Sequence, residues 1–213
     1  MKIAIVGAGG HARVIADAIK KKKKDTIIGF FDDNTLLHGK FLNEIKVIDK
    51  IANLQKFVSK NDHLIIAIGD NQKRREYFEL FKQKGYSFTI VIHPSAVVSS
   101  SATIQEGTVI FAGAIINPNA VIGSNVIINT GAIIEHDNKI HNHSHVAPGA
   151  SLGGNVIVGE NTLVGIGANV NKGVSIGKNC VIASGCSIYK DIPDNSIVRL
   201  PDIPKIRVLG KND

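Results

Sequence analysis

The 213-residue chain has no tryptophan, only eight phenylalanines and three tyrosines, and an aromatic share of 5%. A core built on rings is therefore excluded, and the interior must be filled by aliphatic side chains. There are two cysteines, both on positions that the pattern below turns inward. They are expected to be small core residues rather than a disulfide framework, in a reducing, cytoplasmic setting. No apolar run is long enough to cross a bilayer, and Met1 leads straight into an apolar strand, so neither a signal peptide nor a membrane anchor is expected. Negative charge is the scarcer sign, and the formal net charge is +7. Much of it is one block, Lys20 to Lys24, which reads as the solvated end of a helix, where cations favour the dipole. Without interleaved aromatics the charge argues against nucleic acid and for a general affinity for anionic ligands.

What the chain does have is a period of six. From Ile92 through Val98, Ile104, Ile110, Ile116, Ile122, Ile128, Ile134 and Ile140, then Val146, Leu152, Val158, Val164, Val170, Ile176, Ile182 and Ile188, every sixth residue is a branched aliphatic. Two residues before each comes a small or β-branched partner, with Asn138 and Ser144 as the departures. Six fits neither an amphipathic helix nor a hairpin sheet. It is the hexapeptide signature of a β-solenoid, in which each repeat lays down one short strand and turns a corner. Such a ladder is buried only against the coils above and below, so repeats must accumulate before the stack is stable. Asn and Gly at many turns, such as Gly123, Asn125, Gly159 and Asn161, supply the backbone freedom that corners require.

The N-terminal stretch reads differently. Residues 2 to 6 form a buried strand followed by Gly7-Ala8-Gly9-Gly10-His11-Ala12, then a helix whose apolar face holds Val14, Ile15, Ala18 and Ile19. A second strand, Ile27 to Phe31, ends in Asp32-Asp33. Loop and acid match the G-x-G-x-x-A dinucleotide fingerprint, in which glycines let backbone N–H groups approach a phosphate at a helix N-terminus. A structural glycine turn is the bland alternative. Further elements are expected as a helix near 49 to 58, a strand at His63 to Ile68, a helix from Gln72 to Lys84 and a strand at Ser87 to Ile92. This alternation predicts a small parallel, Rossmann-like α/β sheet, with Gly9, Gly10, His11, Asp32, Asp33 and Gly69 gathered beyond the carboxyl ends of its strands. His93-Pro94 marks the passage into the solenoid. The expected domains are 1–92, 93–190 and a C-terminal extension, 191–213.

Within the solenoid, Glu135-His136-Asp137 is followed by His141, His143 and His145. Surface decoration, a zinc site on the His136/His141 spacing, and general base catalysis are the three readings. His141, His143 and His145 share the parity opposite to the ladder and, where the chain is extended, point away from the interior. His136 lies between two carboxylates. One that accepts a hydrogen bond from a ring nitrogen leaves the other nitrogen free to take a proton.

Over its whole length the chain resembles the bacterial nucleotide-sugar acetyltransferases that modify 4-amino-4,6-dideoxy sugars, and their sialic-acid O-acetyltransferase relatives. The likeness is carried by Gly7 to His11, Phe31-Asp32-Asp33, Ala67 to Asn71 with Arg74, His93 to Ala96, Ile134-Glu135-His136, Ser144-His145-Val146 and Gly149 to Val156. It implies a homotrimer of left-handed parallel β-helices with acetyl-CoA between subunits. The resemblance also implies that a UDP-, GDP- or dTDP-linked amino sugar is held partly by the N-terminal domain. By the same resemblance His136 is the general base and Asp137 its orienting carboxylate, where many relatives have glutamate. His145 contacts acetyl-CoA, the Gly154 backbone faces the thioester oxygen, and the backbone at Ile166 and Ser184 holds the pantetheine arm. Gly9, Gly10, His11, Asp32, Asp33 and Gly69 contact the sugar nucleotide. No metal is expected. Relatives usually end the coil with Gly-x-Pro-Ala; this chain reads Val198-Arg199-Leu200-Pro201-Asp202.

The rival readings are O-acetylation of a sialic acid or related sugar, a γ-type carbonic anhydrase, a nicotinamide-dependent oxidoreductase, and a plain scaffold. The carbonic anhydrase needs a third histidine about two coils earlier, where Ser100 stands. The oxidoreductase rests on the glycine loop alone, and the scaffold leaves the Glu135-His136-Asp137 cluster unexplained.

Overall fold

A computed structural model describes residues 1–200. Residues 201–213 of the expected C-terminal extension, with Pro201 and Asp202 of its atypical ending, lie outside the described residues.

The first ninety residues build a twisted sheet from β1 (Lys2–Val6), β2 (Thr26–Phe31), β3 (Phe41–Leu42), β4 (Ile45–Asp49), β5 (His63–Ile66) and β6 (Ser87–Phe88). The order across the sheet is β3-β4-β2-β1-β5-β6, parallel apart from the β3–β4 hairpin. The sequence predicts a helix near 49 to 58. There the chain runs β4 up to Asp49 and then forms only a short 3-10 helix, Ile51–Lys56. Ile45 and Val47 alternate inward, so the period there is that of a strand.

Helix α1 (Gly10–Lys22) packs on one face of the sheet and α2 (Asn71–Gln83) on the other. Lys20, Lys21 and Lys22 fall in the last turn of α1, as the dipole favours. Ala12, Ile15, Ala16, Ala18 and Ile19 of α1 are buried. Val14, expected on that apolar face, is 46% exposed, because it falls one residue off the 3.6-residue stripe.

The expected strand at Ser87 to Ile92 is divided between two structures. Ser87–Phe88 closes the small sheet, while β7 (Val91–Ile92) pairs with Val109–Ile110 as the first rung of the coil stack. From there two-residue rungs follow every six residues as far as Ser187–Ile188, and up to Asn169–Val170 each pairs in parallel with the rung eighteen residues on. The rungs form three sheets around a prism. The first contains Val91–Ile92, Val109–Ile110, Ile127–Ile128, His145–Val146, Leu163–Val164, Val181–Ile182 and Ile197–Val198. The second contains Ile133–Ile134 and Ser151–Leu152, and the third Lys139–Ile140 and Ile157–Val158.

The aliphatic ladder and its small partners form one core, closed from Ile110 to Ile188. Each fully buried valine or isoleucine contributes about 1.5–3 kcal/mol. Ile92, Val98 and Ile104 of the first coil are only partly covered, having a neighbouring coil on one side alone. Cys180 and Cys186 are free thiols inside the prism. Asn138 and Ser144 are also buried there, and they serve the corners. Val156 N donates to Asn138 Oδ1 (2.6 Å), and Ser144 Oγ donates to the Gly159 carbonyl (2.7 Å).

Nearly every corner places its turn residue, three before the ladder position, at positive φ. Glycine and asparagine hold most of these places, but Asp137 and His143 hold two, both at φ 61°.

The two parts meet on the first sheet and the corner leading into it. Helix α1 lies between the small sheet and the prism, sharing a core with Val91, Val109, Phe111 and Ile127. Helix α2 runs along the corner. Asn71 reaches Asn161, Arg75 pairs with Glu160 (3.0 Å), Glu79 meets His143 (3.3 Å), Phe78 covers Gly107 and Lys82 pairs with Glu106. Coils are spaced about 4.8 Å apart and a helix rises about 1.5 Å per residue, so one coil matches roughly one helical turn. One face of α2 therefore runs down the stack, from the coil of Glu160 and Asn161 to that of Glu106 and Gly107. No helix among the described residues is long and apolar enough to cross a membrane.

Candidate active site

His136 and Gly154 occupy the same corner one coil apart, between the second and third sheets. Asn155 N donates to the His136 carbonyl (3.0 Å), which fixes the two corners against each other. His136 Nδ1 donates to Asp137 Oδ2 (2.7 Å). Glu135, the other flanking carboxylate, instead lines a groove of about 380 Å³ on the second sheet. Asp137 is held in turn by Asn119 Nδ2 (3.1 Å), one coil back. The hydrogen bond from His136, and then that from Asn119, keeps the Asp137 carboxyl below the usual carboxylate range. With the Nδ1 proton committed, Nε2 carries a lone pair, and it points at Gly154. A Cβ on Gly154 would lie 2.5 Å from that nitrogen. The Gly154 N–H has no acceptor among the described residues. An imidazole, the acid that holds it and a backbone amide without an acceptor thus share one corner, where the imidazole side chain is 55% exposed.

The other expected residues lie elsewhere on the prism. His145 is in the first sheet, under the small domain, where Asn129 Nδ2 donates to its Nε2 (3.0 Å). Burial, then the Arg74 and His11 charges, lowers its pKa to about 3, so the ring is neutral. His11 packs edge-on against Phe111 (centroids 5.3 Å apart), and its Nε2 is buried with no partner among the described residues. Burial, then Arg74, lowers its pKa to about 4. Ile166 and Ser184 are exposed on the corner between the first and second sheets.

On the small domain Gly9 is the N-cap of α1, with no side-chain cap, and Gly10 opens the helix. A Cβ on Gly9 or Gly69 would meet open space, so the loop keeps its backbone accessible. Asp32 and Asp33 are already engaged within the chain. Asp32 accepts from Ala8 N (2.7 Å) and Asn34 N (2.8 Å), and Asp33 from Ile51 N (3.1 Å) and Tyr77 Oη (2.9 Å). Asp32 thereby ties the glycine loop to β2. Each carboxylate oxygen retains one further lone pair for a ligand.

His143 does point away from the prism interior, but it is not exposed. It is not in extended chain but in a left-handed corner, and it is 3% exposed beneath α2. Asn125 Nδ2 donates to its Nδ1 (2.9 Å), leaving Nε2–H directed at Glu79. His141 instead borders an open groove of about 630 Å³ on the third sheet. Among the described residues no three His, Cys, Asp or Glu side chains are grouped so as to hold a metal ion. The site reading missed Asn119, Asn129 and Arg74; the eighteen-residue step from Asn119 to Asp137 was the signal available for the first.

Residues 2–81 match the PglD N-terminal domain, and residues 155–190 match the bacterial transferase hexapeptide (six repeats). The acetyltransferase domain of PglB from Neisseria gonorrhoeae FA1090 is 34% identical, with a TM-score of 0.88, over 92% of this chain and 95% of that one. The chain belongs to this family of hexapeptide-repeat sugar acetyltransferases. Perosamine N-acetyltransferase from Caulobacter crescentus, crystallised with CoA and GDP-perosamine, is another member at 32% identity and TM-score 0.87, with 92% of each chain covered. A UDP-N-acetylbacillosamine N-acetyltransferase of Bacillus subtilis (strain 168) is 40% identical over 101 residues, 46% of this chain. The match spans 45% of that curated relative's length. In this family the stack of parallel rungs is a left-handed β-helix.

Proposed function

We propose that this chain transfers the acetyl group of acetyl-CoA to the 4-amino group of a nucleotide-linked 4-amino-4,6-dideoxy sugar, with His136 as general base. The observation that carries the reading is the His136 ring, held through Nδ1 by Asp137 with Nε2 directed at the Gly154 corner. The relatives that act on bacillosamine and perosamine amines favour N- over O-acetylation.

The reaction balances as follows. The amine lone pair forms an N–C bond to the thioester carbonyl, whose oxygen becomes an oxyanion. His136 takes the proton that the nitrogen loses. The C–S bond then breaks, and the proton passes from His136 to the departing thiolate, leaving amide and free CoA. The Gly154 N–H stabilises the oxyanion, a contact worth about 3 kcal/mol in other enzymes. Holding both substrates in one groove supplies the entropic part.

The half-site at His136 and Gly154 and the half-site formed by Gly9, Gly10, His11, Gly69 and His145 lie on different sides of the prism. A second copy of the chain would bring them together, which favours a homotrimer with acetyl-CoA and sugar nucleotide at each seam. Ile166 and Ser184, on a third position around the prism, suit the pantetheine arm from the neighbouring copy. Two buried free thiols suit a cytoplasmic enzyme. The test is release of free thiol from acetyl-CoA with a panel of UDP-, GDP- and dTDP-linked 4-amino sugars. Turnover is expected with at least one of them and with none of the matching 4-hydroxy sugars; the reverse preference would make the chain an O-acetyltransferase.

A further inference from the structure

Arg74 is the one lysine or arginine that is buried among the described residues, at 1% exposure, and no carboxylate pairs with it there. A buried cation whose neighbouring acid, Asp70, makes no ion pair with it is costly, so its hydrogen bonds must be extensive. They are. Nε donates to Asn125 O (3.1 Å), Nη1 to Ile68 O (3.3 Å) and Gly69 O (3.2 Å), and Nη2 to Asn71 Oδ1 (2.7 Å), His143 O (2.6 Å) and Ser144 O (3.3 Å). Asn125 Nδ2 returns a bond to the Arg74 carbonyl (3.3 Å).

These acceptors belong to two different bodies. Ile68 and Gly69 lie in the loop after β5, on the carboxyl edge of the small sheet, and Asn71 is where that loop enters α2. Asn125, His143 and Ser144 are corners of successive coils, and Ser144 directly precedes His145. A planar guanidinium with five N–H donors spans both sets at fixed angles; a lysine ammonium is a point donor and cannot.

We propose that Arg74 is a positioning residue for the sugar nucleotide: it clamps the Gly69–Asn71 loop against the rung that carries His145. The proposal rests on the acetyltransferase reading and adds to it that the nucleotide side of the site is set by the β-helix rather than by the small domain alone. Because His136 lies on another side of the prism, the clamp acts on substrate binding and leaves the proton transfer untouched.

The test compares wild type with Arg74→Met, Arg74→Lys and the milder Asn71→Ala, which removes one acceptor from the loop. Expected is a rise of about tenfold or more in KM for the sugar nucleotide in both Arg74 variants, and a smaller one in Asn71→Ala. KM for acetyl-CoA and the pH profile of kcat should stay at wild-type values. Amide hydrogen exchange should rise at residues 69–71 while the coil rungs remain protected. A uniform loss in kcat and both KM values, shared by Asn71→Ala, would show a merely structural role and overturn the proposal, as would wild-type kinetics in Arg74→Lys. If Arg74→Met does not fold, Asn71→Ala decides. A wild type inactive on every amino sugar would sink the acetyltransferase reading instead, and the exchange contrast at 69–71 would still judge Arg74.

Discussion

Asp137 stands at a left-handed corner that glycine or asparagine fills nearly everywhere else in the stack, and a side chain other than asparagine is held there at some cost. The return is direction: its carboxylate meets His136 Nδ1 and is itself fixed by Asn119. His136→Ala is expected to lower kcat by about 10²–10³-fold or more with an unchanged thermal midpoint. A variant turning over at near the wild-type rate refutes the assignment. Gly154→Ala is a sharper probe. The new methyl would lie 2.5 Å from Nε2, so the ring must swing away. Activity should fall about as far as in His136→Ala while the fold persists, since Gly154 does not have positive φ; full activity would place the reacting groups elsewhere. The sequence singled out His136 as the candidate base and a flanking acid as its partner, and the structure pairs that ring with Asp137. It could not choose between Glu135 and Asp137, because that choice depends on a corner dihedral that no composition or parity rule records.

Helix α2 shows what an element contributes that its residues do not announce. Its contacts run down the corner over several coils, so a polar sequence (Asn71–Gln83) zips onto the prism through polar side chains and Phe78. His143 is the centre of that zipper. Desolvation, then Arg75, Arg74 and Lys82, lowers its pKa from 6.5 to about 4, and Glu79 is the acid that faces it among the described residues. Between those two values the unfolded chain holds a proton that the folded chain does not. Its contribution is therefore complete above pH 6.5 and is lost as pH falls toward 4. Urea midpoints measured at pH 7 and pH 4.5 should show this drop. His143→Asn, which restores the corner residue found at Asn125 and Asn161, should shrink it without abolishing it, because His11 and His145 are lowered too. An identical drop in the variant would remove His143 from the explanation. The elements of the prism were legible from the six-residue period, since one aliphatic per corner leaves little choice. The β3–β4 hairpin and the burial of His143 were not, because each depends on what packs over it.

For the whole molecule, the decisive feature is that the groups assigned to one reaction are spread around the prism of a single chain. If neighbouring copies complete the seam, chains carrying His136→Ala and chains carrying His145→Ala should complement each other. Mixed by co-refolding in equal amounts, they would regenerate about a quarter of the seams with both histidines intact. Activity well above that of either parent, dependent on refolding together, is the expected result. Two inactive parents giving an inactive mixture would mean that each chain works alone.

The two-part architecture was readable from the glycine loop and the hexapeptide period. The seam between the parts was not, because it is written in backbone carbonyls, which every sequence supplies alike.

The end of the stack carries a consequence of its own. Each regular coil spans eighteen residues, as in Leu163 to Val181, but Val181 pairs with Ile197, only sixteen residues on. Ile192 bridges Ile176 two places earlier than the ladder period would put it. A perimeter two residues short offers an ill-fitting template to anything that would stack upon it. Open ends of parallel strands invite fibrous growth, one molecule seeding the next. A last described coil of shortened girth is a poorer template for such growth than a regular one.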